Sequence, residues 1–279
     1  MKLPSIDLAR WVDLAQQLRV RDKSHNGAVV SAGVAFFALI ALVPALIATV
    51  SLYALIGNPQ DIERQINEAT SALPEEASAL IAEQMIGITS SASSKLSLTL
   101  ALGIVLALWS ASAATRHLIS TLNTCYEIRE TRSFVKLRVT ALVFTFGAVV
   151  VVVGSAFMLA ALPVFVANTG LGSGMRMLVN VALYPMMGAL MIAVLGVLYR
   201  FGPAQRLRPT YSAKGALLAT IIWLTASIGF AVFSAYFSDF KLTYGALSAV
   251  VVLMLWIYLG AYAVIVGAEF NALLARRSV

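Results

Sequence analysis

Arg116, Asn123, Arg200, Glu269 and Asn271 are the residues of this chain best placed to do chemistry, because each is polar or charged and lies in or beside a long apolar run. A side chain of that kind costs free energy inside a membrane, and binding, pairing or proton handling are the usual reasons to keep it. Arg116 is followed at helical intervals by Ser120, Asn123 and Glu127, which predicts a polar stripe near one membrane surface. Glu269 lies in Gly267-Ala268-Glu269-Phe270-Asn271 and is the only carboxylate in or adjoining the inner end of a span. The sequence therefore predicts that it pairs with Arg116 or Arg200, which would satisfy both charges. Such a pair is either purely structural or able to open when a proton or an anionic ligand arrives, and a Glu269 that simply reaches water is the third reading. Pro44 sits near the middle of the first apolar run and leaves the carbonyl of Ile40 without its usual donor, so a kink is expected there. The plain role of such a kink is to fit neighbouring helices; the sharper one is a broken helix lining a cavity.

Other chemistries lack their residues. His25 and His117 form no HExxH pattern, and Cys125 is the only cysteine, so no metal site, intrachain disulfide or CxxC redox pair is expected. There is no Walker A loop, dinucleotide fingerprint or GxSxG elbow. No cofactor and no catalytic residue is expected, and the chain does not read as an enzyme. The Gly170, Gly172 and Gly174 stretch reads as a flexible turn in a short outer loop.

The elements that must position these residues are six apolar runs, at about 29–56, 96–115, 139–166, 177–199, 216–237 and 246–268. A hydrocarbon core of about 30 Å needs about 20 helical residues, and every run is long enough. The expected fold is an all-α integral membrane protein, a single polytopic domain over 1–279 with six transmembrane helices. Composition agrees, since 60% hydrophobic and 12% charged residues would leave a soluble globule short of polar surface. The net charge of +7 sorts by side of the membrane. Segments holding Arg10 to Lys23, Arg116 to Arg138, Arg200 to Lys214, and Arg276 with Arg277 are basic, whereas the alternate segments hold only Arg64, Lys95, Arg176 and Lys241. The positive-inside rule then places both termini in the cytoplasm. This basic face is expected to meet anionic lipid, not nucleic acid. Two further amphipathic segments are expected: an interfacial helix over about 5–20 with Trp11 at headgroup level, and a helical outer loop over 57–95, divided at Pro74, which either caps the bundle or covers a vestibule. The first apolar run starts too far from Met1 for a cleaved signal, so the N terminus is expected to be retained. Similar steps at Gly27-Ala28, Gly215-Ala216 and Gly245-Ala246 leave room for a duplication of three plus three spans.

The run from Asn26-Gly27 through Ala35-Phe36-Phe37 to Pro44 resembles the opening signature of the YihY/BrkB family of bacterial inner-membrane proteins, once mislabelled as ribonuclease BN. The similarity continues through Trp109-Ser110, Leu122-Asn123, Tyr126, Tyr199-Arg200-Phe201 and Pro203. It ends with Tyr244-Gly245-Ala246, Trp256-Ile257-Tyr258 and Gly267 to Asn271, thus covering about 20–275. The family often has Pro-Asn where this chain has Pro203-Ala204, which puts a shared polar role of that loop in doubt. The resemblance implies six helices and a location in the bacterial envelope; it implies little about substrate, the suggestions for the family being transport of an envelope lipid or of a small anionic metabolite. The expected activity is gradient-driven transport or export of an amphipathic or anionic compound, with Arg116 and Arg200 attracting the anion and Glu269 holding or releasing them. Membrane lipids and a small substrate are the expected partners, and a homo-oligomer is left open by small-residue faces such as Ser110 to Ala114. The competing class is a non-transporting scaffold of envelope assembly, for which Glu269→Gln alters stability only. A ribonuclease, the third class, would need a metal-ligating site that the sequence does not offer.

Overall fold

The computed structural model describes residues 8–56, 94–168, 173–206, 208–236 and 246–276; side chains at 42–56 and some other positions lie outside that description. Seven helices are present among these residues: α1 (Leu8–Ser24), α2 (Gly27–Ile56), α3 (Ser94–Cys125), α4 (Phe134–Asn168), α5 (Ser173–Phe201), α6 (Pro209–Tyr236) and α7 (Ala246–Arg276). There is no strand among the described residues. Among the described residues four helical stretches, in α4 to α7, are long and apolar enough to cross a membrane, and the bent pair α1–α2, taken as one span, makes a fifth. The expected outer-loop helices and their division at Pro74 fall outside the described residues, as does the side chain of Pro44. Pro185 lies inside α5, where it leaves the Val181 carbonyl without an intrahelical donor.

The burial pattern inverts that of a soluble protein. On α6, Leu217, Ile221, Leu224, Ile228 and Val232 recur at helical spacing and all face outward. Small and polar residues face inward instead, among them Ser31, Ser112, Thr145, Thr220 and Asn271. The inward hydroxyls mostly satisfy themselves locally: Ser31, Thr121, Thr145 and Thr220 each donate to the carbonyl four residues back. Such a surface is stable only with hydrocarbon around it.

Close backbone approach sets the core. Leu122, Leu195, Leu198, Tyr199, Ala216, Ala219, Ile265 and Ala268 form one cluster joining α3, α5, α6 and α7. At its centre α6 and α7 meet at two glycines: a Cβ on Gly267 would lie 2.5 Å from the Tyr199 hydroxyl and 2.6 Å from the Gly215 carbonyl oxygen. A Cβ on Gly215 would in turn collide with the Gly267 carbonyl and the Asn271 amide. The Tyr199 hydroxyl uses the space so preserved to donate to the Val264 carbonyl at 2.7 Å. Small residues at a membrane helix crossing allow this approach, where dispersion replaces the missing hydrophobic drive.

Gly267→Ala should therefore lower the stability of the purified protein by about 1–3 kcal/mol through overpacking. Gly147→Ala, where a Cβ meets nothing within 4 Å, should leave it unchanged. Thermal unfolding in detergent compares the two, and equal melting temperatures would refute the assigned crossing.

Candidate functional site

The site grows from the way α3 ends. Ile128 N–H bonds to the Asn123 carbonyl at 2.8 Å and Glu127 N–H to the Thr124 carbonyl at 3.0 Å, the paired bonds of a Schellman closure. That closure needs a left-handed residue, normally glycine, and Glu127 occupies it with φ at 54°. The conformation costs a non-glycine residue about 1–2 kcal/mol. It also turns the Glu127 carboxylate back toward α1, which the regular stripe expected from Arg116 through Glu127 would not have done.

Arg21, in the last turn of α1, fills the space so made. Its Nε donates to Glu269 Oε2 at 2.8 Å, its Nη1 to Glu127 Oε1 at 3.0 Å, and its Nη2 to the Cys125 carbonyl at 2.7 Å. One planar guanidinium thus ties α1, the end of α3 and α7 together, and its charge complements the negative end of the α3 dipole. Arg276 closes the other side of Glu127. His25 Nδ1 lies 2.5 Å from Glu269 Oε1, so both carboxylate oxygens are engaged on a side chain with no exposed surface. The chain reaches this geometry because α1 and α2 meet at a 60° bend, with Asn26 at φ 53° just before Gly27. A Cβ on Gly27 would run into the Asp22 carboxylate, whose Oδ2 accepts the Tyr262 hydroxyl of α7 at 2.8 Å.

Glu269 therefore does not pair with Arg116 or Arg200. The physical reason is depth and direction: the α1–α2 bend brings Arg21 and His25 to α7 first, and a carboxylate has two oxygens to give. Arg116, half-buried on α3, has no carboxylate partner among the described residues. Arg200, at the end of α5, lies with its guanidinium 5.0 Å from the Phe201 ring and its Nε buried without a hydrogen-bond partner. Asn271 is buried beside Glu269; its Oδ1 accepts Gly215 N–H at 2.8 Å and its Nδ2 reaches the Tyr126 hydroxyl at 3.3 Å. Asn123, seven residues after Arg116 on α3, is buried, accepting Ala204 N–H at 2.8 Å and donating to Glu130 at 2.7 Å. The loop at Pro203-Ala204 thus contributes its backbone, which any residue after Pro203 other than proline could supply.

Beside the cluster lies a cleft of about 220 Å³ between the start of α2, the end of α3 and α7, lined by His25, Gly27, His117, Ser120, Thr124 and Ile265 among others. The His117 ring stacks on Phe37 at 4.0 Å between centroids. His25 both lines the cleft and touches Glu269, as does Cys125 on the α3 side. By sequence, Arg21 is one basic residue of the first charged segment and His25 belongs to no metal-binding pattern, so neither stands out as a site residue. The signal that could have found them is an Arg-Asp pair and a histidine immediately before a helix-breaking Asn-Gly. Among the described residues no group of three potential metal ligands occurs.

The family model for virulence factor BrkB matches residues 20–279, so the chain belongs to the BrkB virulence factor family. The ribonuclease-like protein YfkH of Bacillus subtilis (strain 168) is 29% identical over 270 residues, 94% of this chain and 95% of the relative. A UPF0761 membrane protein of Alteromonas mediterranea is 38% identical over 84 residues, 30% of this chain and 28% of the relative. One of Vibrio cholerae is 38% identical over 80 residues, covering 29% and 27%. No solved structure matches the chain significantly.

Arg21→Ala should cost about 3–5 kcal/mol, because it leaves Glu269 charged, buried and short of its donor. The double change Arg21→Ala with Glu269→Gln should cost less than Arg21→Ala alone, and strictly additive losses in thermal unfolding would refute the coupling. A second expectation concerns Glu130, which hydrogen bonds from Arg132 hold down at about 2, with a further bond from Asn123. A carboxyl depressed in the folded state stabilises above its unfolded value near 4.3 and loses that contribution as pH falls through the folded one. Melting temperature should therefore drop between about pH 4.3 and 2, and Glu130→Gln should flatten that part of the profile.

Proposed function

We propose that this member of the BrkB family crosses the bacterial inner membrane six times with both termini in the cytoplasm, and passes an anionic or amphipathic compound across it, driven by a gradient. Each helix from α2 to α7 overlaps one of the six apolar runs, and an even number of crossings agrees with the basic residues collected in alternate segments. The compound is an envelope lipid or a phosphorylated metabolite, and no covalent chemistry is needed to move it.

The observation that carries this reading is His25, which lines the cleft and holds the buried Glu269 with the same ring. An anion entering the cleft and a proton reaching Glu269 then act on one hydrogen bond. Differential binding to the closed and open forms of that bond is what coupling requires. Arg116 and Arg200 are two cations without a described carboxylate partner, and they supply the field that draws an anion toward the cytoplasmic face. Bending of α2 at Pro44 provides the movement, and Arg21 remains held by Glu127 and Cys125 while Glu269 is released. Asn123 and Asn271 hold the surrounding helix ends in place.

Mass spectrometry of small molecules copurifying with the detergent-solubilised protein tests the reading, comparing wild type with folded Arg200→Ala and Glu269→Gln variants. A specific anion enriched on the wild type and reduced about tenfold in both variants is the expected result, equivalent to about 1.4 kcal/mol of binding. The same molecules at equal levels in all three would overturn it in favour of a scaffold. RNA hydrolysis by the pure protein, the activity that the name of the Bacillus relative suggests, would overturn it in favour of an enzyme.

A further inference from the structure

The contact between α3 and α4 holds two arginines that no carboxylate balances. Arg138 of α4 is 7% exposed. Its Nη2 donates to the Trp109 carbonyl of α3 at 2.8 Å, and its guanidinium carbon lies 3.8 Å from the centre of the Trp109 ring. Its Nε is buried with no hydrogen-bond partner. Arg116 follows Trp109 by seven residues on α3, which puts it on the same helix face as the ring that Arg138 covers, two turns away. Neither takes part in an ion pair among the described residues. The Trp109 ring offsets part of one charge through its electron-rich face, by about 0.5–2 kcal/mol, and leaves the other unanswered. Two neighbouring guanidinium groups, one with an orphaned N–H, form a site short of an anion. Phosphate suits it, because its oxygens accept from planar guanidinium groups in pairs.

What lies beside the arginines selects the source of that phosphate. Val135, Val139, Val143, Phe146 and Val150 recur along one face of α4 and are each more than half exposed, beginning at the level of Arg138. In a bilayer this stripe touches acyl chains. Thr115, next to Arg116, and Thr145 bind each other at 2.7 Å and hold the two helices together at this level. We infer that the Arg116–Arg138 pair binds the phosphate of one anionic phospholipid molecule whose acyl chains lie along the Val135 to Val150 face of α4. Basic pockets between membrane helices hold anionic headgroups through this combination of charge and apolar flank. The inference needs the chain to be embedded in a membrane but not to transport anything, and it uses neither Glu269 nor Arg200.

Native mass spectrometry of the full chain in detergent, titrated with phosphatidylglycerol, phosphatidylcholine or sodium phosphate, tests it. Wild type should retain one phosphatidylglycerol at least tenfold more strongly than phosphatidylcholine. Arg116→Gln and Arg138→Lys should each lose at least fivefold of that retention, the second because an ammonium cannot repeat the planar fork. Arg200→Gln should retain it fully. Equal retention of the two lipids, or retention unchanged in Arg116→Gln, would overturn the site. Displacement of the lipid by millimolar sodium phosphate would show a free-anion site and would overturn the lipid assignment. Arg116 is half-buried and its replacement removes no hydrogen bond seen here, so that variant decides the matter if Arg138→Lys fails to fold.

Discussion

A single guanidinium organises the described part of this molecule. Arg21 contacts a fully buried carboxylate, a half-exposed carboxylate and a helix-terminal carbonyl, and these belong to α7, to the turn after α3 and to α3 itself. An ionised Glu269 in such a place is tolerable only while every oxygen is engaged, since the desolvation cost of a buried charge is several kcal/mol. The rest of the inner arrangement follows from that requirement. The α1–α2 bend delivers Arg21 and His25 together, and Glu127 accepts a left-handed backbone because two arginines hold its side chain.

A second polar knot performs the same task for the loops. Glu130 receives Arg132 on both oxygens and Asn123 on one, while Arg132 also donates to the Gly202 carbonyl at 2.9 Å. The turn after α3 is thereby tied to the turn after α5, and Asn123 completes the link through Ala204 N–H. The two knots adjoin through Tyr126 and Asn271. Polar groups are concentrated where helices end, because there the backbone has carbonyls and N–H groups still to satisfy. Between them the glycine crossing of α6 and α7 supplies close packing and the cleft supplies room. The same economy of contacts leaves Arg116, Arg138 and Arg200 without a carboxylate partner among the described residues.

Membership of the BrkB family gives this arrangement a context without giving it a substrate. YfkH matches along nearly its whole length, whereas the UPF0761 proteins match over about a quarter of theirs, so the full-length architecture is the better comparison with the former.

The sequence by itself determined that the chain is helical, apolar enough to live in a membrane, and a member of its family, because hydrophobic length and composition are properties of consecutive residues. It also marked Glu269 and Asn271 as residues too costly to be incidental, since burying an acid or an amide in α7 demands partners whatever the packing. It did not determine who those partners are. Arg21 and Glu269 are 248 positions apart, and Arg116 and Arg200 were equally acceptable by charge. Only the 60° bend at His25-Asn26 and the left-handed turn at Glu127, neither of which leaves a periodic trace in the sequence, decided between them. Glu127 shows the same limit: its spacing from Arg116 suggested a place on the same polar stripe as Asn123, but α3 ends at Cys125 and the left-handed turn takes Glu127 off that face. Tertiary structure chose among satisfied and unsatisfied charges because only three-dimensional proximity, not spacing, sets the hydrogen bonds that a buried charge requires.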